Sequence, residues 1–280
     1  MQVEGRGKLE IKMQAMWISL NNSCRNKMND VICRPKKLSK QRSLDLLEED
    51  KHEHEVLIGS KVMESVISYK QTAPSSSFKE IGVGDPSRKV IEKILGDALT
   101  NPAKKISKIR NVFRVKNSSE VLEKFEKYRD MVKQKAKETG DKQPRSLVDG
   151  NELLCFYVTT MTCHSRQSEL ISGPCDHSYC NLCRTICSSF DMKYTKRFGV
   201  QLCTSSEALR ESMKAVLKGK NSKRAVIICR IIAGRIKNTN DRASEEYDSI
   251  RNYRGFCFKS EHLIVKSPNA VLPCFVVVLN

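Results

Sequence analysis

No stretch of about eighteen consecutive apolar residues occurs in this chain, so nothing in it reads as a membrane-spanning helix. Residues 1–12 are polar and charged and lack the apolar centre that a secretory signal requires. Aromatic residues make up only 6%, with a single tryptophan, Trp17. Acids are outnumbered as well, 32 against 50 lysines and arginines, which leaves a net charge of +18. No internal repeat is present, so repeat architectures are set aside.

What is there fits one large domain or two small ones: 280 residues, 39% hydrophobic and 29% charged. The positive excess favours acidic partners such as nucleic acid, nucleotides, acidic protein tails or membrane headgroups, and it also suits an ordinary solvated surface. Without an export signal the twelve cysteines are expected to stay reduced, as buried thiols or metal ligands. The basic cluster Arg34, Lys36, Lys37, Lys40 and Arg42 reads as a nuclear-import signal or as a plain basic linker. An intracellular protein is expected, in the nucleus rather than the cytoplasm.

Residues 1–84 show no sustained periodicity and are expected to be mostly disordered, with one short element within 56–69. Order is expected from Asp85. That residue suits an N-cap and Pro86 the first helical position, and Val90, Ile91, Ile94, Leu95 and Ala98 then share a helical face, ended by Asn101 and Pro102. A strand is expected over 106–115. A capping-box pattern at Asn117 and Glu120 precedes a helix with Val121, Phe125, Tyr128 and Val132 on one side. Residues 137–149 read as a polar loop, 152–160 as a strand, and 161–190 as irregular. A strand over 198–203 leads to a second capping pattern, Thr204 and Glu207, and to a helix whose buried face is Leu209, Met213, Val216 and Leu217, stopped by Gly219. Strands are expected over 224–236, 262–265 and 271–279. With helices mostly before and between the strands, the 85–280 part is an α+β domain.

The cysteines crowd one place. Cys175-x4-Cys180-x2-Cys183, with Cys163 nearby, offers four soft ligands, and the short hook at 180 and 183 lets two thiolates face one ion. Zinc on Cys163, Cys175, Cys180 and Cys183, with His177 or Cys187 as substitutes, would organise a loop with little apolar anchoring. The other reading is a group of buried reduced thiols. Cys203, Cys229 and Cys274 fall within strands and are expected in the core.

The order of elements, and several phrases within it, resemble the catalytic domain of poly(ADP-ribose) polymerases. Asn111-Val112-Phe113-Arg114-Val115 is similar to the family's opening strand, and Leu154-Cys155-Phe156-Tyr157-Val158-Thr159-Thr160 stands in the place of its Leu-x-His-Gly-Ser/Thr motif. Phe198-Gly199-Val200-Gln201-Leu202 resembles Gly-Ile-Tyr-Phe, Tyr247-Asp248-Ser249-Ile250 resembles Tyr-Asp-Ser-Val, and Ser260-Glu261-His262-Leu263-Ile264-Val265 resembles the strand holding the family's glutamate. A plant group with a zinc finger ahead of such a domain is closer still, through Asp149-Gly150-Asn151-Glu152-Leu153-Leu154 and Trp17-Ile18-Ser19-Leu20. Its two-cysteine, two-histidine finger is absent, since Cys24, Cys33, His52 and His54 have the wrong spacing.

The resemblance implies an ADP-ribosyltransferase-like split β-sheet core with flanking helices. It also implies an NAD site, with Tyr157 in the place of the ribose-binding histidine, Val158 in that of the close-approach glycine and Gln201 in that of the stacking tyrosine. Glu261 alone matches, as the catalytic glutamate. Each lost contact removes about 1–3 kcal/mol where it leaves a partner unpaired, and about 8 kcal/mol is only micromolar binding. NAD is therefore not expected to bind. The expected function is a catalytically inactive module that binds a protein, nucleotide or nucleic acid. The alternatives are an NAD-dependent mono-ADP-ribosyltransferase using Glu261 and a zinc-stabilised nucleic-acid-binding protein of the nucleus.

Overall fold

The computed structural model describes residues 76–100, 108–140, 144–163, 174–175, 179–191, 193–216, 222–238, 246–254 and 260–280. Outside them lie most of the expected N-terminal region, the import-signal cluster, Trp17, the 56–69 element, Asn101 and Pro102, His177, and Leu217 and Gly219.

Strand β1 (Ser76–Glu80) falls inside the region expected to be disordered, so the sheet begins earlier than Asp85. A five-residue edge strand carries too little alternation to be read from sequence. What holds it is Phe78, buried against the Phe113 ring at a centroid distance of 6.2 Å, and an antiparallel ladder with β2 (Ile109–Asn117). Helix α1 (Pro86–Leu99) starts as expected, with Asp85 Oδ1 accepting from the Ser87 N–H at 2.7 Å, and it buries Ile91, Ile94, Leu95 and Ala98.

Helix α2 (Ser119–Glu138) turns Phe125 and Val132 inward. Its cap is Ser118, whose hydroxyl accepts from the Val121 N–H at 3.3 Å, not the expected Asn117. Asn117 is still in the β1–β2 ladder and donates its side-chain amide to the Pro273 carbonyl at 2.8 Å, so it is not available as a cap. The expected loop before residue 150 contains helix α3 (Pro144–Asp149), closed by an Arg145–Asp149 ion pair at 2.8 Å.

Strand β3 (Glu152–Met161) follows, then the part expected to be irregular. That part holds helix α4 (Asn181–Cys187), which buries Leu182 and Ile186, and α5 (Lys193–Phe198) comes after it. A seven-residue helix is too short for its periodicity to stand out. Strand β4 (Val200–Cys203) leads to α6 (Ser206–Ala215), capped by Ser205 rather than Thr204. Thr204 is engaged elsewhere, its N–H and its hydroxyl both donating to the Glu261 carbonyl at 3.2 and 3.0 Å.

The expected strand over 224–236 is two strands. β5 (Lys223–Ile232) ends before Gly234, where φ is +56°, and β6 (Ile236–Asn238) starts after the turn. β7 (Ser249–Arg254), β8 (Ser260–Val265) and β9 (Val271–Leu279) complete the sheet. The fold is mixed α+β, with nine strands in the order β1-β2-β9-β5-β3-β4-β8-β7-β6. All neighbours are antiparallel except β6 and β7.

The sheet is nearly divided. β3 meets β5 along ten residue pairs but meets β4 at one, Phe156 with Cys203. Alternation splits the core between two faces. On one, Cys155, Ala225, Ile227 and Cys229 pack with Phe125 and Val132 of α2. The other carries α6, where the Ser212 hydroxyl lies 3.2 Å from both Cys203 Sγ and His262 Nε2. β5 and β9 are buried on both faces along most of their length, which is why their sequences are largely apolar rather than alternating. Among the described residues no helix is long and apolar enough to cross a membrane.

Candidate metal centre

β3 carries the chain directly to Cys163, and Cys180 and Cys183 stand at the start of α4. The loop supplies Cys175, half-buried like Cys163, while Cys180 and Cys183 are buried. Sγ of Cys163 lies 3.4 Å from that of Cys180 and 3.6 Å from that of Cys183. All four sulfur atoms fall within 4.8 Å of one another. A disulfide would bring a pair to about 2.05 Å. Four thiolates around an ion at about 2.3 Å would stand about 3.8 Å apart. The spacing is that of a ligand shell, and the group could hold a metal ion.

Local contacts fix this geometry. Cys180 occupies the N-cap of α4 without making a side-chain cap bond, so its sulfur is turned to the other thiols. The Asn181 amide donates to Thr160 Oγ1 of β3 at 2.9 Å, and the Thr162 hydroxyl donates to the Tyr179 carbonyl at 3.1 Å. Behind the helix the chain reverses at Phe190, whose φ is +64° and whose carbonyl accepts from the Thr195 hydroxyl. Hydrogen bonds from Cys163 and Cys183 hold the Cys180 thiol far below the ordinary range. The bond with Cys180 pushes Cys163 up to about 12, and bonds with Cys163 and Cys180 push Cys183 up too. A cation bound by such a group displaces the protons of the thiols that ligate it.

The ligand set expected from sequence is thus brought together. The substitute His177 lies outside the described residues, and Cys187, exposed at the far end of α4, is not in the group. Cys203 and Cys229 are core residues as expected, and Cys274 is half-buried.

The positions in the expected NAD site are spread over adjacent strands. Tyr157 on β3 is half-buried, with its ring edge-on to Phe190 at 5.2 Å and 88°. Val158 pairs with Val226 of β5, and Gln201 of β4 pairs with Ile264. Glu261 of β8 forms an ion pair with Arg251 Nε at 3.0 Å. Phe156, Cys203 and His262 stand in one rank across β3, β4 and β8. By alternation Tyr157 and Glu261 fall on the face opposite to that rank, whereas Gln201 shares the face of Cys203. The geometry therefore brings Tyr157 and Glu261 to one side and leaves Gln201 on the other. Sequence reasoning did not find Phe190 or Arg251, the two residues that occupy Tyr157 and Glu261. An aromatic two residues beyond the α4 stop was a faint signal for the first, and nothing local marks the second. Compared with known proteins, the chain matches no family model and no curated protein.

Proposed function

We propose that this chain is a zinc-stabilised module with an ADP-ribosyltransferase-like core that works by binding a partner rather than by transferring ADP-ribose. The observation that carries the reading is the convergence of four thiols on a segment that, among the described residues, is also tied by side-chain hydrogen bonds to the end of β3. Four cysteine ligands complete a tetrahedral zinc shell and leave no open position for water or substrate, which is the pattern of a structural site. Cys163, Cys175, Cys180 and Cys183 would hold the ion, and its binding energy would fix α4 against β3.

The near-division of the sheet between β3 and β4 supports the ADP-ribosyltransferase-like core, as do the adjacent strands carrying Tyr157, Gln201 and Glu261. Binding without transfer is supported by the engaged side chains. The Tyr157 ring is already packed on Phe190, the Glu261 carboxylate is already paired with Arg251, and Gln201 is turned to the other face. The transferase reading has one observation in its favour, the shared face of Tyr157 and Glu261.

Two measurements on the purified chain test this. Elemental analysis is expected to find about one zinc per chain, and to find it lost in Cys180→Ser. A folded chain that carries no metal and takes up none when zinc is added would overturn the metal reading. Calorimetric titration is expected to show no heat at millimolar NAD. Saturable micromolar binding, with labelled ADP-ribose incorporation abolished by Glu261→Gln, would establish the transferase instead.

A further inference from the structure

Two stretches of the sequence contain no acid at all, 98–119 and 212–240. The sheet joins their described parts at one end. β2 and β5 flank β9, and Ile109 and Arg224 pair with the same residue, Leu279. Lys108, Arg110, Lys223 and Arg224 therefore gather around the end of β9, where the Asn280 N–H donates to the Lys108 carbonyl at 3.1 Å. Arg110 is the extra residue of a register shift between Ile109 and Asn111, an irregularity that re-aims a side chain.

These cations crowd each other, and the described residues supply no counter-ion to them. Burial, and after it the charge of Arg110, holds Lys223 below the ordinary lysine range. Among the described residues none of the four forms an ion pair. Nε of Arg224 is buried and has no hydrogen-bond partner there. An exposed aromatic residue lies on the turn that adjoins this end of β3. Tyr179 is 86% exposed, its carbonyl is held by the Thr162 hydroxyl, and the neighbouring Met161 is the cross-strand partner of Lys223.

Uncompensated cations that follow a strand end, with an exposed ring on the adjoining turn, match what a single-stranded nucleic acid presents: a line of phosphates and unstacked base faces. We propose that the sheet end formed by Lys108, Arg110, Lys223 and Arg224, together with Tyr179, binds single-stranded nucleic acid, the cations on phosphates and the ring on a base. This names the partner class of the binding module proposed above. The cations sit on the sheet and need no metal, whereas Tyr179 rests on the loop that the metal would hold.

The test is fluorescence anisotropy with the full chain and a labelled oligothymidylate of about fifteen nucleotides, a length within the range such sites cover, beside a duplex of equal length, across a series of salt concentrations. Arg110→Glu with Lys223→Glu is expected to weaken binding at least tenfold and to flatten the slope of log K against log salt by about 1.4, two phosphate contacts' worth. Lys89→Glu with Lys137→Glu makes the same charge change on α1 and α2 and is expected to stay within about twofold. Tyr179→Ala is expected to weaken binding roughly tenfold with the slope unchanged. Equal losses from the two double variants would overturn the proposal, as would preference for the duplex, or poly-glutamate competing as well as oligothymidylate. Zinc content measured on the same samples separates the two readings. A zinc-replete chain that does not bind refutes this proposal alone, and a metal-free chain that binds through Arg110 and Lys223 keeps it while removing the metal.

Discussion

At Gly234 the backbone adopts φ +56°, and a Cβ there would lie 2.3 Å from Asp248 Oδ2. That carboxylate has its own work. It accepts from the Arg235 N–H at 2.9 Å and faces Lys135 Nζ at 3.6 Å, while Asn151, itself at φ +57°, donates its amide to the Gly234 carbonyl at 3.0 Å. One atom added at this corner must push away either the backbone or Asp248. Gly234→Ala is expected to destabilise the fold by about 3 kcal/mol, the upper end for a strained backbone position. A urea midpoint equal to the parent's would contradict this. The same scale shows what spacing reveals. The hook of Cys180 and Cys183 was legible because both ligands lie within one helical turn. Cys163 and Cys175 had to be brought in from a strand end and a loop, and their inclusion could be checked only in space.

At the scale of elements, α2 is fastened to the sheet by charge as well as by Phe125. Glu152, at the start of β3, takes Arg230 of β5 in a bidentate pair at 2.6 and 2.9 Å and Arg129 of α2 at 2.6 Å. Both guanidinium groups lie over the Phe125 ring, at 5.4 and 5.2 Å. The three charged side chains are between 10% and 12% exposed, so removing the carboxylate leaves Arg230 without its bidentate partner in a poorly solvated place and Arg129 with Glu126 alone. Glu152→Ala is expected to cost about 3–5 kcal/mol. Replacing Glu152, Arg129 and Arg230 together by Leu, Met and Met should cost clearly less. Thermal unfolding of both variants checks the order, and the reverse order would show that the ions do not act as a unit. Caps teach a related lesson. Two capping patterns were read one residue early, because Asn117 and Thr204 were already committed to partners in other strands, and no local pattern reveals such a competing bond.

At the scale of the whole molecule, the described side-chain hydrogen bonds of the thiol-bearing segment reach the end of β3, whereas β5 and β9 lie in the middle of the sheet. Loss of the metal should therefore loosen one part and spare the other. After chelation, hydrogen exchange followed by mass spectrometry is expected to rise in peptides covering residues 174–191 and to stay slow in β5 and β9. Uniform loss of protection would instead make the ion a condition for the entire fold.

The sequence by itself determined where the apolar runs become inner strands, where α1 begins, which face of α2 is buried, and that Cys180 and Cys183 form a hook. These are properties of spacing along the chain, and local geometry turns spacing into position. Only the tertiary structure decided that β1 and β7 join the sheet, that one strand breaks into β5 and β6 at Gly234, that Tyr157 packs on Phe190, that Cys163 and Cys175 join the hook, and that two acid-free stretches meet at one end of β9 from its two sides. Each of these depends on which distant segment lies alongside, and strand pairing is settled by partners far away in sequence.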